Sequence, residues 1–136
     1  MPLRIATWNV NSVRQRLEHL ARFSEAYRPD VVCLQEIKVP SDDFPVEEVK
    51  AIGYPHVVVH GQKGYNGVAI LSRRRLSEPQ KQIWCDRDDC RHAAAKVGGV
   101  ELHNFYVPAG GDVPDPEKND KFAHKLQFLS EMANWA

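Results

Sequence analysis

Five side chains stand where apolar stretches of this sequence end: Asn9, Asn11, Glu36, Lys38 and Tyr106. Their types suit work on a phosphate ester. A hard cation such as Mg²⁺ takes oxygen ligands, usually one or two carboxylates with water and substrate phosphate. Glu36 offers the carboxylate. Asn9 could hold that carboxylate, or a phosphate, through its amide. Tyr106 could donate a hydrogen bond to a phosphoryl oxygen. The same residues also have quieter readings. Asn9 and Asn11 fit helix caps or turns, Glu36 fits a surface carboxylate, and Tyr106 fits a core aromatic with its hydroxyl satisfied. Spacing alone leaves both readings open.

The elements that must position these residues can be read from the pattern. Val31-Val32-Cys33-Leu34, between Pro29 and Pro40, is an apolar run ending in Gln35-Glu36. It predicts a central strand covered on both faces, with Glu36 at its end. Residues 3–10 alternate and predict a strand. Ser12-x-x-Gln15 matches a capping box. After it, Val13, Leu17, Leu20, Ser24 and Tyr27 lie on one helical stripe, closed by Arg28-Pro29. Strand, helix, strand is the start of an α/β layer. A short helix is expected from Pro45 to Ala51, capped by Gly53. His56–His60 and Val68–Ser72 predict a hairpin around the glycine-punctuated turn 61–67. Residues 73–89 read as polar and irregular. His92–Val97 and Val100–Val107 predict two more strands, joined at Gly98-Gly99. From about Glu117 the pattern is helical, with one stripe of Phe122, Leu126, Leu129 and Ala133 and a second of Phe128, Met132 and Trp135. A helix with two apolar stripes wants cover on more than one side. It also lacks a capping glycine and a basic last turn, so the chain is expected to stop partway through a larger fold.

Composition narrows the class. At 136 residues the chain suits one modest domain. Hydrophobic residues at 43% and charged residues at 26% are ordinary for a globular protein. No apolar run approaches the ~20 residues of a membrane helix, and the start lacks a signal-peptide core, so a cytoplasmic location without membrane contact is expected. Net charge is zero, which points neither toward nor away from nucleic acid. Locally, residues 1–28 carry five arginines against two glutamates, and Arg73-Arg74-Arg75 is a short basic run. Three cysteines do not make a disulfide scaffold. Cys85, Cys90 and His92 form only a poor zinc pattern, with loose spacing and no evident fourth ligand.

Motifs in order add a resemblance. Thr7-Trp8-Asn9-Val10-Asn11-Ser12-Val13-Arg14 is followed by Pro29-Asp30 and the run through Leu34-Gln35-Glu36-Ile37-Lys38. Then come Phe44-Pro45, Gly53-Tyr54, His60-Gly61-Gln62-Lys63-Gly64-Tyr65-Asn66-Gly67-Val68-Ala69, Asn104-Phe105-Tyr106-Val107-Pro108 and Lys121-Phe122. This resembles the N-terminal half of the exonuclease III family of abasic-site endonucleases, within the endonuclease/exonuclease/phosphatase superfamily, across essentially the whole chain. The resemblance implies part of a four-layer α/β/β/α sandwich, deoxyribonuclease-I-like, with residues 1–136 as its N-terminal part. It implies Mg²⁺-dependent hydrolysis of DNA phosphodiesters at abasic sites and 3′-to-5′ exonuclease action, Mn²⁺ being a possible substitute. Glu36 matches the metal-binding glutamate. Asn9 matches the asparagine supporting it, and Tyr106 an active-site tyrosine. Asn11 falls where relatives carry Asp or Asn, so a second metal contact here is neutral. Lys63, Tyr65 and Asn66 match a loop that meets the DNA backbone. The partner implied is double-stranded DNA with abasic sites or 3′-blocked ends, met by a monomer when full length. The family's Gly-Asp-x-Asn and Ser-Asp-His segments do not occur in residues 1–136. Two rivals remain: a superfamily phosphoesterase acting on phospholipid or inositol phosphates, opposed by the 62–67 loop, and a non-catalytic module.

Overall fold

The computed structural model describes residues 2–136. The chain divides into two compact units, residues 1–82 with 89–106, and residues 83–88 with 107–136. In the first, β1 (Ile5–Asn9) leads through a short 3₁₀ turn, Val13–Gln15, into α1 (Leu17–Tyr27) and then β2 (Val31–Gln35). β1 and β2 pair in parallel, Ile5 opposite Val31 and Asn9 opposite Gln35, with α1 as the crossover. A second 3₁₀ turn, Ser41–Asp43, precedes α2 (Val46–Ile52). β3 (His56–His60) and β4 (Val68–Ser72) form an antiparallel hairpin, and β4 pairs antiparallel with β2. The first sheet therefore runs β1-β2-β4-β3. The second, β5 (Ser77–Lys81), β6 (His92–Val97) and β7 (Val100–Phe105), is antiparallel throughout.

β2 is buried on both faces, as its unbroken apolar run requires. Val32 and Leu34 join Leu20, Val49 and Tyr54 in a core between the first sheet and the helices. Val31 and Cys33 face the other way and pack with Val58, Val68, Ile70, Ala93, Ala95 and Val97, the layer between the two sheets. Burial raises the Cys33 thiol to about 11, in keeping with a small core residue. Each fully buried Val, Leu or Ile contributes roughly 1.5–3 kcal/mol, so these two layers dominate the unit's stability.

Several expectations need correction. The Ser12 capping box does not form: Ser12 sits at φ 80 with no side-chain cap bond, and α1 opens only at Leu17. The Ser12 amide donates instead to the Glu36 carbonyl at 2.8 Å. Tyr27, expected on the buried stripe, is 61% exposed. The stretch after Arg73 holds strand β5, hidden from pattern reading because all five residues face solvent. β7 ends at Phe105 rather than Val107.

In the second unit, α3 (Asp120–Trp135) starts later than Glu117, at Asp120, capped by Asn119, whose side chain accepts from the Lys121 amide. Phe128 packs on Trp84 with ring centroids 5.4 Å apart, and Trp84 meets Trp135 edge-on. Leu126 and Leu129 are exposed. No helix among the described residues is long and apolar enough to cross a membrane.

Candidate active site

The site is built at the ends of β1 and β2, which lie side by side because they pair in parallel. Both chains leave the sheet in the same direction, so Asn9 and Glu36 emerge together. The Asn9 amide nitrogen donates to Glu36 Oε2. Its oxygen accepts from the Asn11 backbone N–H at 3.2 Å. Both ends of the Asn9 amide are thus used, one on the local turn and one on the carboxylate. The turn reading and the carboxylate-holding reading of Asn9 are satisfied by one side chain.

Glu36 and Lys38 both adopt left-handed backbone, at φ 55 and 56, flanking Ile37. Such conformations cost on the order of 1 kcal/mol or more per non-glycine residue and persist only when the surroundings enforce them. Here the enforcement is backbone hydrogen bonding from two sides. The amides of Ser12 and Val13 donate to the carbonyls of Glu36 and Ile37 at 2.8 and 3.1 Å. The amides of Ile37 and Lys38 donate to the carbonyls of Gly67 and Asn66 at 3.2 and 3.0 Å. Ile37, fully buried, anchors the segment. The alternation of left-handed residues around it throws Glu36 and Lys38 to one rim. Lys38 Nζ lies 2.6 Å from Asn11 Oδ1 and 3.8 Å from Glu36 Oε1.

Tyr106 follows β7, and its phenol lies near enough to Glu36 to feel the carboxylate's charge. Its phenol is held above its ordinary range, first by burial and then by the Glu36 charge, while the Arg91 guanidinium pulls it the other way. Arg91 lies over the Tyr106 ring at 5.0 Å and donates to the Tyr106 carbonyl at 3.2 Å. Its Nε is paired with Asp89 at 2.6 Å. At neutral pH the Tyr106 hydroxyl is therefore a proton donor.

Two further residues support the strand end, and neither stands out in the sequence as a site residue. Gln35 Nε2 donates to Thr7 Oγ1 at 3.0 Å and to Asn104 Oδ1 at 2.8 Å. Asn104, only 3% exposed, donates from its own amide to the carbonyls of Leu34 and Ala69 at 3.0 and 2.9 Å. This is a polar tie from β7 of the second sheet to β2 and β4 of the first, directly behind Glu36. In the sequence both residues lie inside the motifs that carry the family resemblance.

The 61–67 turn is joined to the site through the carbonyls of Asn66 and Gly67. Lys63 and Tyr65 project to solvent. Asn66 differs: it is buried at φ 57, and its amide donates to the Asp89 carbonyl at 2.9 Å. Of the residues singled out, Asn9, Asn11, Glu36, Lys38 and Tyr106 form one group. Lys63, Tyr65 and Asn66 form the neighbouring turn.

The donors gathered around Glu36 are a carboxylate and amide oxygens, the hard set that Mg²⁺ or Mn²⁺ takes. Among the described residues, the bonds to the Glu36, Asn9 and Asn11 side chains come from amides and the Lys38 ammonium, not from a thiolate or imidazole. The residues present fit such an ion.

Residues 6–136 match the profile of the Endonuclease/Exonuclease/phosphatase family. The chain belongs to that family. Exodeoxyribonuclease III of Haemophilus influenzae is 32% identical over 139 residues, covering 95% of this chain and 52% of the relative. The human DNA-(apurinic or apyrimidinic site) endonuclease 2 is 28% identical, over 90% of this chain and 23% of its own. Among solved structures, an AP endonuclease from Archaeoglobus fulgidus superposes with a TM-score of 0.84 at 38% identity, covering 96% of this chain and 49% of that one. The 3′ phosphatase NExo from Neisseria, bound to product DNA hairpin, superposes with a TM-score of 0.87 at 34% identity, covering 98% and 51%. The chain thus spans about half the length of these solved relatives. The mixed α/β architecture with two packed sheets is that of the deoxyribonuclease-I-like fold expected from the motifs.

Proposed function

We propose that this chain carries the Glu36 side of the active site of a divalent-metal-dependent DNA repair nuclease. The reaction is hydrolysis of phosphodiesters in duplex DNA at abasic sites and, exonucleolytically, from 3′ ends. The observation that carries this reading is the strand-end carboxylate held by Asn9 beside Asn11, Lys38 and Tyr106. The relatives, named as DNA nucleases and a DNA-bound 3′ phosphatase, support the substrate class.

Glu36 and Asn11 would hold Mg²⁺, with Mn²⁺ as an alternative. When bound, the ion supplies positive charge to the phosphate as negative charge develops there. Asn9 orients the Glu36 carboxylate. Tyr106, protonated at neutral pH, donates to a phosphoryl oxygen. Lys63 and Tyr65 meet the DNA backbone, positioning it without reading sequence. Asn66 shapes the turn that presents them. An abasic nucleotide is favoured because it leaves the stack at least cost.

The test is cleavage of an abasic duplex by the protein that carries this chain. Mg²⁺ is expected to support nicking and a chelator to stop it. Glu36→Gln is expected to lower the rate roughly a thousandfold while duplex binding persists. An unchanged rate in Glu36→Gln overturns the assignment.

A further inference from the structure

We propose that the Lys38 ammonium is a built-in, displaceable cation that occupies the divalent-ion locus, keeping the Glu36 and Asn11 oxygens assembled before metal arrives. The inference rests on the reading of Glu36 and Asn11 as metal ligands and assigns Lys38 a positioning role toward them.

Three observations carry it. First, the Lys38 Nζ faces both oxygens that would ligate an ion: it donates to Asn11 Oδ1 at 2.6 Å and is ion-paired with Glu36 Oε1 at 3.8 Å. A compact ammonium with donors only is the protein group nearest in kind to a hard cation. Second, the ammonium is directed there by the backbone. Left-handed conformation at residues 36 and 38, with Ile37 locked in the core between them, puts both side chains on one rim. A lysine in ordinary strand geometry two residues from Glu36 would share its face, but the carboxylate and ammonium would diverge into solvent along the strand. Third, Asn11 is neutral, so the pair of oxygens presents a single negative charge. One ammonium balances it fully. Glu36 and Lys38 side chains are 24% and 32% exposed, leaving the long Lys38 stem room to swing outward.

Two consequences follow. An arriving divalent ion must displace the ammonium or bind against its charge, so Lys38 sets the affinity downward. In return, the Glu36 carboxylate is already oriented when the ion arrives.

The test measures Mn²⁺ and Mg²⁺ binding by isothermal titration to the wild-type protein and to Lys38→Gln, Lys38→Met, Lys38→Arg and Glu36→Gln, with thermal melts in chelator confirming that each is folded. Lys38→Gln and Lys38→Met are expected to bind Mn²⁺ roughly tenfold more tightly than wild type, since the competing charge is gone. Lys38→Arg keeps the charge and is expected to bind no more tightly than wild type. Unchanged or weaker Mn²⁺ affinity in both neutral variants, with binding lost in Glu36→Gln, overturns the role of Lys38 and leaves Glu36 as ligand. If duplex DNA binding falls in that case, Lys38 is a phosphate contact instead. Wild-type Mn²⁺ binding in Glu36→Gln, or no binding to any of the proteins, overturns the ligand assignment and this inference with it.

Discussion

Replacing Asn104 tests whether the two sheets are held at the site by hydrogen-bond chemistry or by shape alone. Its side chain makes three hydrogen bonds of 2.8–3.0 Å: one accepted from Gln35 and two donated to the Leu34 and Ala69 carbonyls. At about 1 kcal/mol net for each, with extra cost for partners left buried and unpaired, Asn104→Ala is expected to lose about 3–4 kcal/mol. That is a large part of the ~5–15 kcal/mol by which domains are stable. Asn104→Asp is the sharper variant. It keeps the volume and still has oxygen facing Gln35, but an ionised carboxylate donates nothing to the two carbonyls. It would sit buried against them, at a cost of several kcal/mol more. Asp is therefore expected to be worse than Ala at pH 7, although it is the closer match in shape. The same burial raises the carboxyl's pKa in the folded state. The penalty then shrinks as pH falls toward that raised value and the group takes up a proton. Urea unfolding followed by tryptophan fluorescence, at pH 7 and pH 5, reads all of this. An Asn104→Asp protein as stable as Asn104→Ala at pH 7 refutes the reasoning.

Two other outcomes are expected. A Cβ at Gly67, which sits at φ +93, would lie 2.6 Å from Ile37 Cγ1, so Gly67→Ala is expected to cost about 2–3 kcal/mol. Gly64→Ala, at φ +87 with nothing within 4 Å, should cost only about 1 kcal/mol; melts giving equal losses contradict the role of Ile37 as the anchor of the strand end. His92, 2% exposed, has its imidazole pushed down to about 4 by burial first and then by the charges of His103 and His60. Below about pH 6.5 the unfolded chain takes up a proton that the folded His92 refuses, so stability falls between pH 6.5 and 4 by up to about 3 kcal/mol. Urea midpoints across that range should flatten in His92→Gln, and an unaltered slope would remove His92 from the account.

Much of the scaffold was legible because its strands are made of β-branched and small apolar residues. β3, β4 and β6 begin and end where the pattern places them. β5 was illegible for the opposite reason. Ser77-Glu78-Pro79-Gln80-Lys81 is polar and exposed, with Pro79 at a sheet edge, and only its pairing to β6 makes it a strand. The Ser12 motif misled because tertiary hydrogen bonding from Glu36 claimed the backbone that a helix start would have used. At the site, Glu36 and Asn9 could be read from strand ends. The contribution of Asn104 could not, because its partners Gln35 and Leu34 are 69 and 70 residues away in sequence. The left-handed turns at Glu36 and Lys38 are equally silent. Neither residue type favours that conformation, and only the two flanking loops impose it.

The tie between Asn104 and the β2 strand end has a consequence for how the protein is made. Pairings that join distant parts of a chain close large loops and form slowly. Glu36 leaves the ribosome before Asn104 does, so Gln35 and Leu34 lack their partner until β7 has been synthesised. At about 5–20 residues per second, the 69 positions between Gln35 and Asn104 take several seconds or more to add. During that interval β1 and β2 can pair and Asn9 can reach Glu36, but the polar tie behind the strand end is missing. The tie between the sheets is thus a late product of folding, and the strand end that carries Glu36 is braced from behind only once β7 is in place.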